Sequence, residues 1–173
     1  MREFRAKTTK KENGEHAFNN VWVEGDLVVL GNKHYIHPRA NAFQVDNELA
    51  KLVIMHEVIP ETVGQFTGLP DKNGKKVFDG DIVRQQTFHK LPLKYDNEKE
   101  KKDHKKYLIK KCGAIFDSEE TYHKDYIWEV KFENARFYPF ADDNFEWGNF
   151  DWDIPFEVIG NIHDNKELLD KGE

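Results

Sequence analysis

The segment from Thr62 to Val83, TVGQFTGLPDKNGKKVFDGDIV, places four glycines, one proline and four short apolar clusters in 22 positions. No helix of ordinary length fits between breaks so closely spaced, so the segment is either a ligand-gripping loop or a set of turns between strands. A phosphate loop needs successive backbone N–H groups converging on an anion, with a helix starting behind them. Neither G-x-G-x-x-G nor G-x-x-x-x-G-K-[ST] is present, and the DIVRQQ that follows Gly80 favours strand. The glycines fit turn positions instead. Pro70 withdraws an N–H. Asp71-Lys72-Asn73-Gly74 offers an acid first and a glycine where positive φ is needed. Asp79-Gly80-Asp81 then reverses the chain into Ile82-Val83. An EF-hand reading fails, because Asp71 and Asn73 match its start but the later acidic ligands fall out of register.

The rest of the chain reads the same way: short apolar runs separated by Gly, Asn, Asp and Pro. Strands are predicted at 21–23, 27–30, 34–37, 51–59, 81–85, 112–116, 127–132, 136–140 and 156–160, with hairpin turns at Gly31-Asn32 and across 133–136. A short helix is expected over 165–171, with Asn165 as its N-cap and its two leucines covering a sheet edge. VEGDLV at 23–28 and FDGDIV at 78–83 echo each other, and in both Gly-Asp is expected to make a turn before a strand.

With 173 residues the chain suffices for one domain, or for subdomains at 1–60 and 61–173. Aromatic residues make up 13%, which speaks for a folded protein despite 34% charged residues. The net charge of −6 hides an asymmetry. Residues 1–60 balance to zero, 61–111 hold thirteen basic against eight acidic residues, and 112–173 hold five against sixteen. Nothing approaches the roughly 20 apolar residues of a membrane span, and no apolar h-region follows the basic start, so no membrane association and a cytoplasmic location are expected. One cysteine, Cys112, excludes an internal disulfide framework. Residues 86–111, with nine lysines and few apolar anchors, are expected to form a mobile excursion, helical at most over 97–106.

ETVGQFTGLPDKNGKKVFDGDIV at 61–83 and FEVIGNIHDNKELL at 156–169 resemble the signatures of the YopX-like family, small proteins encoded by phages and prophages. MREFRAKTTKKENGEH, WVEGDLV and HYIHP resemble its N-terminal unit more loosely. The resemblance spans the first 83 and last 18 residues. It implies a mainly β fold, with a small antiparallel SH3-like barrel packed against an N-terminal β unit and closed by a short C-terminal helix. It also implies a phage protein in the cytoplasm of a bacterial host. It implies no activity, and the residues themselves lead to no expected cofactor, catalytic residue or metal ligand.

Chemistry is sparse. His34 and His37 are three apart in a predicted strand and so face opposite sides. One cysteine and scattered histidines do not make a zinc site. Asp151 and Asp153 share a strand face, which leaves a metal-dependent hydrolase as one alternative, although no lysine spacing supports it. Ser118, the only serine, lacks a G-x-S-x-G setting. Two binding surfaces remain. Phe145, Trp147, Phe150, Asp151, Trp152 and Asp153 form an acidic aromatic patch suited to an unidentified protein partner or to self-assembly. Lys99, Lys101, Lys102, Lys105, Lys106, Lys110 and Lys111 form a basic cluster suited to nucleic acid, interrupted by Asp96, Glu98, Glu100 and Asp103. The leading expectation is a non-enzymatic accessory protein that binds another protein or itself, and the alternative is nucleic-acid binding through the lysines.

Overall fold

The computed structural model describes residues 2–9, 20–39, 55–92, 94–133, 135–140 and 153–171. Six strands make the first sheet: β1 (Phe4–Lys7), β2 (Trp22–Leu30), β3 (Lys33–His37), β4 (His56–Val58), β5 (Gly64–Pro70) and β6 (Lys76–Phe78). Their spatial order is β4-β3-β2-β1-β5-β6, antiparallel throughout. Because β1 pairs with both β2 and β5, this sheet runs across position 60 without a break.

The expected hairpin at Gly31-Asn32 joins β2 to β3, with Gly31 at φ 62°. The expected break at Gly25-Asp26 is absent, and 22–30 is one strand. Gly25 serves close approach rather than a turn: a Cβ there would lie 2.0 Å from the His37 carbonyl oxygen. Its counterpart Gly80 does turn the chain, at φ 82°. The two echoing strings therefore share letters but not conformation.

The second sheet contains β7 (Asp81–Lys90), β8 (Ile115–Phe116), β9 (Thr121–Glu129) and β12 (Phe156–Asn161), in the order β12-β7-β9-β8. A small hairpin, β10 (Lys131–Glu133) with β11 (Arg136–Tyr138), lies outside it, turning through Ala135 as the sequence indicated for 133–136. The fold is mainly β and antiparallel, but among the described residues the strands form open sheets and not the expected closed barrel. The closing helix is a 3-10 helix at Lys166–Lys171, whose Leu168 rests against Gly160.

Two devices join the sheets. Val77 of β6 packs with Val83, Val130 and Phe156, and Trp128, Phe137, Phe140 and Val158 surround them. Each such buried side chain contributes about 1.5–3 kcal/mol. The second device is polar. The Arg5 guanidinium lies over the rings of Trp22 (4.5 Å) and Phe78 (4.7 Å) and donates to Asp81 Oδ1 at 2.6 Å. Asp81, wholly buried, also accepts from the Phe78 N–H at 2.9 Å and from Asn161 Nδ2 at 3.3 Å. Buried charges persist only when paired and hydrogen-bonded in this way.

The Asp71–Gly74 turn forms as its sequence predicts and extends to β12. Asp71 Oδ1 accepts from the N–H groups of Asn73 and Lys75, and its Oδ2 from that of Val158, at 2.8–3.0 Å. Burial opposes ionisation of Asp71, but these three N–H groups outweigh it and hold the carboxyl below its usual range.

Candidate functional site

The lysine-rich excursion is a helix, α1 (Glu98–Cys112), which corrects the expectation of helix over 97–106 at most. Residues 86–90, expected to open the excursion, instead continue strand β7. Asn97 caps α1 by accepting the Glu100 N–H at 2.9 Å, and Glu100 reaches back to the Asp96 N–H at 2.8 Å. Gly113, at φ 64°, ends the helix in the left-handed region. Glu98 and Glu100 stand in the first turn and Lys110 and Lys111 in the last, as the helix dipole favours.

Buried Leu108 anchors α1, packing with Leu91 and Ala114 and flanked by Tyr95, Phe116 and Tyr122. This anchor decides which lysines face inward. Lys101 and Lys105 lie on the same side and converge on Glu119, at 3.9 and 2.7 Å, with the Lys105 ammonium 5.0 Å from the Phe116 ring centre. The hydrogen bond from Lys105 holds the Glu119 carboxyl below its usual range. Lys99, Lys102, Lys106 and Lys110 recur at i, i+3, i+7 and i+11, so they line up on the opposite, exposed face. None of the four forms an ion pair with another described residue. Lys111 is exposed on a flank beside exposed Tyr107, and Asp103 is the acid nearest the row. The cluster expected from sequence thus divides into five outward lysines and two spent on Glu119.

The acidic aromatic patch has a different outcome. Phe145, Trp147, Phe150, Asp151 and Trp152 lie outside the described residues, while Asp153 is exposed. Asp153 lines a groove of about 690 Å³ together with Arg84, Gln86 and Phe88 of β7 and with Lys72 and Glu157. Glu157 bonds to Lys72 at 2.8 Å and to Arg84, and these two partners, in that order, outweigh burial and keep its carboxyl low. No sequence motif marks this groove; Phe88, an aromatic residue that β7 leaves 72% exposed, shows it only in the structure. Among the described residues no group of three His, Cys, Asp or Glu side chains is arranged to hold a metal. The nearest approach is His123, 2.8 Å from Asp117 and 3.8 Å from Asp125. No described helix is long and apolar enough to cross a membrane.

A family model described as YopX protein matches residues 3–170. The chain belongs to the YopX family. The family match takes in α1, the groove and the aromatic segment, well beyond the two terminal stretches that carry the motif-level resemblance. No curated protein and no solved structure gives a significant match.

Proposed function

We propose that this YopX-family protein is a binding module whose α1 meets the phosphate backbone of a nucleic acid. One observation carries the reading: the helix turns Lys101 and Lys105 inward onto Glu119 and leaves Lys99, Lys102, Lys106 and Lys110 aligned on its exposed side. From Lys99 to Lys110 such a row spans about 16 Å, given 1.5 Å per residue, a length that reaches several successive phosphates. The acidic balance of residues 112–173 opposes non-specific binding elsewhere on the chain and confines contact to the helix. A role inside a phage-infected bacterial cell is consistent with this chemistry.

Anisotropy titration of a labelled oligonucleotide tests the proposal. Affinity falls with salt with a log–log slope of about −3 to −4, since about four neutralised phosphates each contribute about −0.7 to −0.9. Replacing Lys99, Lys102, Lys106 and Lys110 by Gln abolishes most of the binding, whereas Lys101→Gln leaves it nearly intact. Absence of binding to both single- and double-stranded oligonucleotides at low salt sinks the proposal. The protein-partner reading retains one described residue, Asp153, and with it the groove beside β7.

A further inference from the structure

β7 is ten residues long, but its two borders are not equally used. On one side β9 pairs with it from Ile82 to Lys90. On the other, β12 pairs only from Asp81 to Gln85, where Phe156 is the last partner. Hydrogen bonds at both ends fix which backbone groups point where. The Val130 N–H donates to the Asp81 carbonyl at 2.7 Å and the Leu91 N–H to the Glu120 carbonyl at 2.8 Å, so the odd-numbered residues of β7 face β9. The Ile162 N–H donates to the Gly80 carbonyl at 2.9 Å, so the even-numbered residues face β12. Phe156 and Val158 confirm this phase from the other strand, because the Phe156 carbonyl and the Val158 N–H turn away from β7 to Lys72 and Asp71.

Pairing with β12 ends at Phe156, and the Ile154 carbonyl accepts from the Gln85 side chain, Nε2 at 2.7 Å, rather than from the strand border. The N–H and C=O groups of Gln86 and Phe88 therefore point into the groove and those of Lys90 lie on the same border just beyond it, and among the described residues no strand pairs with them. From Gln86 to Lys90 the border measures about 13 Å, at about 3.3 Å per residue. Its side chains offer exposed Phe88 in the middle and Lys90, with no acidic partner among the described residues, at the far end.

We propose that this border is a strand-addition site for an extended peptide of a partner protein, about five residues long, with an aliphatic or aromatic residue beside Phe88 and an acidic one beside Lys90. Unpaired backbone groups in extended register select polypeptide over other ligands, and pockets for alternate side chains select its sequence. A second copy of β7 fits less well, because its own segment from Gln86 to Lys90 brings a further lysine and no acid to set beside Lys90. The site is separate from the lysine row of α1, so either proposal can fail alone.

Amide hydrogen exchange on the protein alone comes first. The amides of Gln86, Phe88 and Lys90 exchange fast, while those of Thr87 and His89 are protected by β9. Equal protection of all five overturns the proposal, and protection that grows with protein concentration assigns the border to a second copy and also overturns it. Linear peptides are then selected from a random library on the immobilised protein and synthesised. The expected binders shift and protect those three amides, and lose about tenfold or more in affinity when N-methylated at alternate residues, as loss of backbone hydrogen bonds requires. Phe88→Pro, which removes an N–H facing the groove but none facing β9, weakens them similarly. Binders that leave the three amides unmoved, or that tolerate N-methylation at every position, overturn the proposal.

Discussion

Asp79 opens the Asp79-Gly80 turn and shows how one residue can act against the fold it helps to shape. Burial is the main influence on it; Glu129 and Asp81 add repulsion, and the N–H groups of Phe132 and Gly80 compensate only in part, so its carboxyl titrates above the usual range. A raised carboxylate pKa means that the folded state holds the proton more tightly. The stability linked to it is present at low pH and lost as pH rises through the raised value. Asp79→Asn keeps Oδ1 as acceptor for the Phe132 N–H, 3.1 Å away, and removes the charge. Calorimetry should show the variant melting higher at pH 7, by less than the roughly 2–4 °C that about 1 kcal/mol gives in a chain of this size because solvent screens the half-buried charge, and showing little gain near pH 3. The turn itself was legible in the sequence, because Asp-Gly at positive φ is local chemistry. The penalty was not, since Glu129 and Phe132 come beside Asp79 only through the pairing of β7 with β9.

α1 was only half legible, for a related reason. Its caps, Asn97 and Gly113, are readable signals, but its buried face is not. That face consists of Lys101, His104, Lys105 and Leu108, so the apolar periodicity that marks an amphipathic helix shrinks to a single leucine. The seven lysines stand close together in the sequence, but their division into inward and outward sets needs Glu119, which lies beyond the end of the helix. If Leu108 is the anchor, Leu108→Ala should cost about 2–3 kcal/mol locally, at the lower end for a buried leucine. Exchange of the α1 amides should accelerate while that of β1 and β2 amides stays unchanged. Parallel acceleration across both sheets would show instead that the helix is part of the global core.

Over the whole molecule, the two sheets are held together by groups far apart in sequence, which is why no local pattern announced them. Arg5 reaches Asp81 across 76 positions, and Asn161 reaches it across 80. Arg5→Leu removes one partner and leaves Asp81 buried with its charge. The expected loss is about 3–5 kcal/mol in urea denaturation, larger than the double replacement Arg5→Leu with Asp81→Leu, which removes both charges. Lys7, itself nearly buried, makes the longest of these bridges, to Asp164, whose Oδ2 also accepts from Trp22 Nε1 at 2.9 Å. The Lys7 hydrogen bond holds the Asp164 carboxyl low against the opposing effect of burial, so its contribution is lost as pH falls through that depressed value. Ribosomes make protein from the amino end. Lys7 is therefore always made 157 residues ahead of its counter-charge, so this bridge closes only once that late aspartate has been added.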